Sequence, residues 1–109
     1  MRQVDTKEEL DLAIKEEELL VVYFTGSACE ACEVIKQKVE SILEVHPPVK
    51  GIEVNGAVHP ILATEYEVYT LPIMILFVQG KESLRLGRNL DLLEFERKIT
   101  RYEEMIDSQ

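Results

Sequence analysis

The sequence contains two cysteines, Cys29 and Cys32, which lie in the stretch S-A-C-E-A-C-E. A pair at this spacing has three possible roles: half of a metal site, a structural disulfide, or a dithiol that exchanges disulfides with other molecules. Each role needs different surroundings. The neighbouring residues and the elements that carry the pair therefore decide among the three.

Zinc is disfavoured by the remaining candidate ligands, His46 and His59. Structural zinc sites take four ligands, usually as two closely spaced pairs. These histidines are far apart in the sequence, His46 at the end of a predicted helix and His59 just before Pro60 at the start of another. Both histidines are predicted to be surface residues, and no metal site is predicted.

A structural disulfide is also disfavoured, because closing so small a loop removes little chain entropy. A chain of 109 residues can bury roughly 60–70% of the surface that its unfolded form exposes, so it does not need a disulfide in order to fold. The first ten residues, M-R-Q-V-D-T-K-E-E-L, lack the apolar region of a signal peptide. We therefore expect a reducing cytoplasm, where a C-x-x-C pair is more often catalytic or metal-binding than structural.

The elements around the pair favour thiol chemistry. The apolar run L-L-V-V-Y-F, residues 19–24, predicts a strand buried on both faces. After the break at Thr25-Gly26-Ser27, a helix is predicted to begin at Cys29. A helix N-terminus presents free N–H groups and a partial positive charge, both of which stabilise the nucleophilic thiolate. One cysteine can then attack a disulfide, and the other can resolve the mixed intermediate.

The remaining chain predicts the order helix, strand, helix, strand, helix, strand, strand, helix. Alternating helices and strands imply an α/β fold with a parallel section of sheet, and the final hairpin adds an antiparallel edge. We expect a central mixed sheet flanked by helices on both faces. The apolar stripe of the last helix is predicted to be core, and residues 107–109 are predicted to be frayed.

The amino-acid composition argues against some kinds of binding partner. The net charge is −9, and the 12 basic residues are scattered. Neither nucleic acid nor an anionic membrane surface is therefore expected as a partner. No apolar run reaches the roughly 18–20 residues of a membrane span, and no glycine loop cradles a phosphate. We expect one domain over residues 1–109, a monomer without a cofactor.

From about Val4 to Tyr102 the chain resembles the thioredoxin family. The resemblance rests on the strand L-L-V-V-Y-F, C-E-A-C at a helix start, T-L-P forty residues beyond the second cysteine, and I-M-I-L-F-V-Q-G. Gly80 matches the glycine of the family's final hairpin, and Gly87 matches the glycine that follows the last strand. The C-x-x-C alone is a weak signal, but together with Pro72 and the order of elements it is specific for the fold.

The resemblance implies a role for each matching residue. Cys29 would be the attacking thiol and Cys32 the buried resolving thiol. Pro72 would be a cis proline facing them, and the backbone of Leu71 would pair with an extended substrate chain. The alternative for Pro72 is an ordinary first residue of a strand. The implied function is reduction of disulfides in partner proteins, with a separate reductase as electron donor.

The chain departs from the family pattern at the active site. The usual W-C-G-P-C is A-C-E-A-C, and the chain has no tryptophan. The carboxylate of Glu30 should oppose thiolate formation at Cys29. The family's buried aspartate and its lysine partner align with Tyr23 and Glu53. One hypothesis is that Glu53, hydrogen-bonded to the Tyr23 hydroxyl, accepts the proton of Cys32; in the alternative, Glu53 faces solvent and Tyr23 fills core volume.

These departures leave two classes of function open. The first is a thiol–disulfide oxidoreductase that serves a narrow set of partners. The second is a protein-binding module that keeps the fold but has little or no redox turnover. Retention of both cysteines favours the first class, and loss of the flanking tryptophan and the buried aspartate favours the second.

Overall fold

The computed structural model describes residues 1–89 and 91–107. Its strands and helices follow the predicted order, with one short strand added at the start. The strands are β1 (Arg2–Gln3), β2 (Leu19–Thr25), β3 (Lys50–Asn55), β4 (Ile73–Val78) and β5 (Lys81–Leu86), and the helices are α1 (Lys7–Glu16), α2 (Glu30–Glu44), α3 (Pro60–Glu65) and α4 (Leu92–Asp107).

The five strands form one mixed sheet in the order β1-β3-β2-β4-β5. Strand β2 pairs in parallel with β3 and antiparallel with β4, and Phe24 lies opposite Ile73. Because β4 runs antiparallel to β2, the start of β4 lies beside the end of β2. Pro72, which precedes β4, therefore reaches the sheet edge where the loop to Cys29 begins. The predicted mixed sheet with an antiparallel C-terminal hairpin is confirmed.

The core lies on both faces of the sheet, as predicted. Leu20, Val22 and Phe24 pack on one face with residues of α1 and α3. Leu19, Val21, Tyr23 and the buried residues of α2 and α4 pack on the other face. Every residue of β2 is buried, which confirms the strand covered on both sides. The apolar stripe of α4 also belongs to the core.

The boundaries of some elements differ from the predicted ones. Strand β1 was not predicted, because its two exposed residues carry no apolar pattern and are strand only through pairing with β3. Helix α2 has Cys29 as its N-cap and ends at Glu44, before the two prolines. Asp107 ends α4, whereas the other residues of the predicted frayed end, Ser108 and Gln109, lie outside the described residues. Within the described residues, no helix is both long and apolar enough to cross a membrane.

The prediction that His46 is a surface residue is wrong. Its side chain is only 13% exposed, and its ring lies between two carboxylates of α4: Nδ1 is 2.6 Å from Glu103 and Nε2 is 3.0 Å from Glu96. His59 is also half-buried, 3.1 Å from Asp5. The histidine at the end of α2 therefore ties that helix to α4 across the same face of the sheet.

The His46 contacts predict a pH-dependent contribution to stability. Burial alone would lower the pKa of His46, but hydrogen bonds to Glu96 and Glu103 outweigh burial and raise it. A raised folded-state pKa stabilises the fold fully below the unfolded value of about 6.5, and the contribution is lost as the pH rises through the folded value. We expect His46→Ala to lower the free energy of unfolding by about 1–2 kcal/mol at pH 6 and by less at pH 9.

Urea unfolding of both proteins at a series of pH values measures this difference. Subtracting the two curves removes the titrations that the proteins share. His59→Ala serves as the matched control at a more exposed histidine. An equal loss for His46→Ala at pH 6 and pH 9 would contradict the charged interaction.

Candidate active site

The cysteine pair lies at the start of α2, as the sequence predicts. Cys29 is the N-cap residue, and its Sγ accepts a hydrogen bond of 3.1 Å from the backbone N–H of Cys32. The two residues form a disulfide, with a Cα–Cα distance of 5.2 Å. Cys29 is half-buried, whereas Cys32 is completely buried. Only Cys29 can therefore be approached by another molecule.

The backbone before Cys29 is held in an unusual conformation. Ala28 has a φ of 49°, in the left-handed region that residues with a Cβ rarely adopt. Such conformations persist where the surrounding structure imposes them, and they are concentrated at functional sites. The sequence gives no signal of it, because alanine itself favours the right-handed helix. The turn at Ala28 links the end of β2 to the start of α2.

The Tyr23 hydroxyl does not bond to Glu53, so that part of the sequence hypothesis is wrong. It donates a buried hydrogen bond of 2.7 Å to the backbone carbonyl of Cys32. Burial, together with the carboxylates of Glu33 and Glu53, raises the pKa of Tyr23, so the hydroxyl keeps its proton. The alternative, that Tyr23 only fills volume, is also incomplete. Its hydroxyl connects β2, near its end, to the backbone of Cys32.

Glu53 forms an ion pair with a residue that the sequence reasoning missed. Lys36 Nζ lies 3.1 Å from the Glu53 carboxylate, with side-chain exposures of 22% and 15%. The hydrogen bond to Glu53 raises the pKa of Lys36 more than burial lowers it. Glu53 is thus not a solvent-facing side chain. Lys36 follows Cys32 by four residues, the spacing that puts two residues on one helix face, and this signal could have identified it.

Leu71 and Pro72 are held close to the cysteine loop. The Leu71–Pro72 peptide bond is cis, as predicted, and Pro72 is buried. A Cβ added at Gly26 would lie 3.1 Å from the Leu71 side chain and 3.8 Å from Cys29 Cβ, and one at Gly56 would lie 3.0 Å from Leu71. Gly26 follows β2 and Gly56 follows β3. Because neither residue has a Cβ, the Leu71 side chain fits between the loops that follow these two strands.

The backbone of Leu71 has a partner within the chain. The Nε of Arg88, which follows β5, donates a hydrogen bond of 2.9 Å to the Leu71 carbonyl oxygen. Arg88 is exposed. The carbonyl predicted to pair with a substrate chain is thus covered by a side chain that can move away. The sequence pattern does not reveal this contact. Leu71 precedes β4 and Arg88 follows β5, and the two residues come together only through the hairpin that joins these strands.

A cleft opens beside the accessible cysteine. Its volume is about 560 Å³, and it is lined by Ala28, Cys29, Glu30, Glu33 and Val34. Glu30 and Glu33 occupy the first turn of α2 and are exposed. Residues 1–89 and 91–107 contain no group of three or more histidine, cysteine or acidic side chains placed to hold a metal ion.

Fold and site together define a protein with the thioredoxin architecture and a paired cysteine at a helix start. A comparison with protein-family profiles matches Thioredoxin over residues 2–101. The chain therefore belongs to the thioredoxin family.

Among curated proteins, it is 24% identical over 96 residues to "Thioredoxin-like protein YdfQ" of Bacillus subtilis, covering 88% of this chain and 86% of that protein. It is 31% identical over 80 residues to "Thioredoxin-1" of Saccharomyces cerevisiae, covering 73% and 78%. A solved mutant thioredoxin of Halobacterium salinarum superposes with a TM-score of 0.82 at 21% identity, covering 93% of this chain and 88% of that one. The family and the cysteine pair support thiol–disulfide exchange as the class of chemistry.

Proposed function

We propose that the protein is a thiol–disulfide oxidoreductase that reduces disulfides in partner proteins. The observation that carries the proposal is the asymmetry of the pair: a half-buried Cys29 at the N-cap of α2, bonded to a fully buried Cys32. A helix N-terminus stabilises a thiolate, and a thiolate is the attacking species. The accessible sulfur attacks, and the buried sulfur resolves.

The reaction balances as two exchanges. The Cys29 thiolate attacks one sulfur of a client disulfide; a mixed disulfide forms, and the other client sulfur leaves as a thiolate that takes up a proton. The Cys32 thiolate then attacks Cys29 Sγ and releases the second client thiolate. The client has gained two electrons, and the protein ends as the Cys29–Cys32 disulfide. A separate reductase must return two electrons to the pair.

We propose a reducing cytoplasm as the setting in which this direction is favoured. There the pair is kept reduced by a donor and passes electrons to clients. The protein works as a monomer, as one domain over residues 1–109, without a bound cofactor. Its clients are disulfide-bearing proteins, and its donor is an electron-donating reductase.

An equilibrium redox titration of the Cys29–Cys32 pair, read by thiol alkylation and mass, tests the proposal. A reduction potential near about −270 mV is expected for a reductant of this type, whereas about −120 to −180 mV is typical of oxidants and isomerases. A pair that forms no disulfide at any ratio of reduced to oxidised thiol would exclude the oxidoreductase.

We assign client docking to Leu71 and Pro72. An extended client segment would pair with the backbone of Leu71, beside the buried Pro72, which brings its disulfide to Cys29. The hydrogen bond from Arg88 to the Leu71 carbonyl competes with this pairing. A client N–H must displace the guanidinium before it can bind.

Removing the Arg88 guanidinium should therefore favour protein clients. We expect Arg88→Met to raise kcat/KM for insulin reduction about two- to fivefold, since one competing hydrogen bond of about 0.5–1 kcal/mol is lost. The rate with a small aromatic disulfide, which makes no backbone pairing, should stay the same. Arg97→Met removes an exposed arginine on α4 and is the matched control. A fall in insulin reduction with Arg88→Met would mean that the arginine assists docking.

We propose that Glu53 accepts the proton of Cys32, directly or through one water, and that Lys36 holds the carboxylate in place. Tyr23 orients the start of α2 through the Cys32 carbonyl. Glu30 tunes Cys29, because its carboxylate opposes the thiolate that the helix N-terminus stabilises.

Glu53→Gln tests the proton acceptor. The rate of the resolving step at pH 7 should fall about a hundredfold or more, since a positioned base contributes about 10²–10⁴-fold, and the pH profile should shift to higher pH. Stopped-flow measurement of resolution between pH 6 and 9 gives both quantities. Glu44→Gln, which removes the same charge at the far end of α2, is the control. An unchanged pH profile in Glu53→Gln would exclude Glu53 as the acceptor.

A second candidate is a binding module that recognises a protein segment with little turnover. It is favoured by the tyrosine hydroxyl behind Cys32, where the family has a carboxylate, and by the arginine that covers the docking carbonyl. Insulin reduction separates the two candidates. If the protein is a binding module, the native protein and the Cys29→Ser variant should bind clients equally well. Neither should reduce insulin.

A further inference from the structure

The cleft beside Cys29 has two walls of different character. Ala28 and Val34 supply an apolar surface, and Val34 is 53% exposed. Glu30 and Glu33 supply two carboxylates on the same first turn of α2. Among residues 1–89 and 91–107 neither carboxylate forms an ion pair or a side-chain hydrogen bond, although Lys36 attracts Glu33 at longer range. The accessible sulfur therefore lies between an apolar surface and two exposed negative charges.

The nearby cations neutralise those charges only in part, because Lys36 attracts Glu33 at longer range but forms its ion pair with Glu53. Lys36, one turn further along α2, is paired with Glu53, and Arg88 is bound to the Leu71 carbonyl. The whole chain adds a net charge of −9. The two carboxylates at the mouth of the cleft and the net charge of the chain thus have the same sign, and both attract cationic segments and repel anionic ones.

We propose that this cleft selects client segments that carry a lysine or arginine next to the reactive cysteine. The aliphatic part of such a side chain packs on Ala28 and Val34 while its charged end reaches Glu30 and Glu33. A client with acidic residues at the same positions meets two like charges and is rejected. This inference rests on the proposed oxidoreductase function and adds its substrate class.

The selection acts on the first exchange, because the client disulfide must approach Cys29 before Cys32 takes part. Glu30 and Glu33 are not needed for the bond changes themselves. Their effect should therefore appear in kcat/KM, which includes client capture, and should differ between clients of opposite charge. It should also weaken with salt, as expected for exposed charges.

Three peptide disulfides test the proposal, identical except for lysine, glutamine or glutamate on both sides of the cysteine. We would measure kcat/KM for each at about 20 mM and about 500 mM salt, where exposed charges are weakly and strongly screened. For the native protein at low salt, the lysine peptide should react about three- to tenfold faster than the glutamate peptide, as expected for two exposed pairs. At high salt the ratio should approach one.

Glu30→Gln/Glu33→Gln identifies the responsible charges. The ratio should fall to about twofold or less at low salt. Because Glu30 also acts on Cys29, the double variant will change the rates with all three peptides, and only the ratio is diagnostic. Glu16→Gln, an exposed change in the last turn of α1, should keep the native ratio and the native rate with the glutamine peptide.

The outcomes separate this inference from the proposed function. Reduction of the glutamine peptide with a lysine-to-glutamate ratio near one at low salt would overturn the inference and leave the oxidoreductase intact. A native ratio in the double variant would overturn it too, because the discrimination would then come from the overall charge. Failure to reduce any of the three peptides would overturn both.

Discussion

Cys29→Ser is expected to abolish insulin reduction, with a loss of about a thousandfold or more in rate, because removal of the proposed nucleophile leaves only the uncatalysed reaction. A serine hydroxyl does not ionise near neutral pH and cannot attack a disulfide. The assay is turbidity of reduced insulin with dithiothreitol as the electron donor. Cys29 is half-buried at a helix N-cap, and serine is a good N-cap residue, so the fold should be retained.

Cys32→Ser should give a different defect and thereby assign the order of attack. Cys29 would still attack, but the mixed disulfide could not be resolved, so a covalent adduct with the client should accumulate. Mass spectrometry without reductant detects it. An adduct in Cys29→Ser instead would reverse the assigned roles. Since Cys32 is completely buried, its variant should first be compared with the native protein by circular dichroism.

Phe24→Ala is expected to lower the free energy of unfolding by about 3–5 kcal/mol, the usual range for truncating a buried phenylalanine. Phe24 is 0% exposed in the central strand, and its ring lies 6.4 Å from that of Tyr66. The loss is a large part of the roughly 5–15 kcal/mol that stabilises a typical domain. Urea denaturation of the oxidised protein measures it.

Leu12→Ala provides the matched control for this truncation. Leu12 lies on α1 and is 53% exposed, so its removal should change stability by less than about 0.5 kcal/mol. Phe24→Leu should fall between the two, since it keeps most of the buried volume. Equal effects of Phe24→Ala and Leu12→Ala would mean that β2 is not the centre of the core.

Much of the fold could be predicted because several helices and strands can be recognised from the spacing of apolar residues within a short segment. The run of six apolar residues from Leu19 identifies β2, and the spacing of apolar residues after Cys29 identifies α2. Strand β1 could not be predicted, since two residues become strand only by pairing with β3. The sequence pattern also left the direction of β4 open, and antiparallel pairing with β2 became visible only in the sheet.

The site was predictable in its residues but not in its contacts. The predicted hydrogen bond between Tyr23 and Glu53 rested on their alignment with the family's aspartate–lysine pair, and the two residues do lie opposite each other in β2 and β3. The tyrosine hydroxyl instead reaches the carbonyl of Cys32, and the long side chain of Lys36 reaches Glu53. Several polar groups lie close enough to compete for the same partner, and the length and direction of each side chain decide which pair forms. The sequence pattern does not contain this three-dimensional information.

The hydrogen bond from Tyr23 to Cys32 also gives the protein a built-in optical reporter. The chain has four tyrosines and no tryptophan, so its ultraviolet fluorescence comes from tyrosine alone. One of these four tyrosines is hydrogen-bonded to the backbone of Cys32, whose sulfur changes bonding partner in the proposed reaction. Emission near the tyrosine band should therefore follow oxidation and reduction of the pair without any label. The same signal would be lost in a protein in which Tyr23 is phenylalanine.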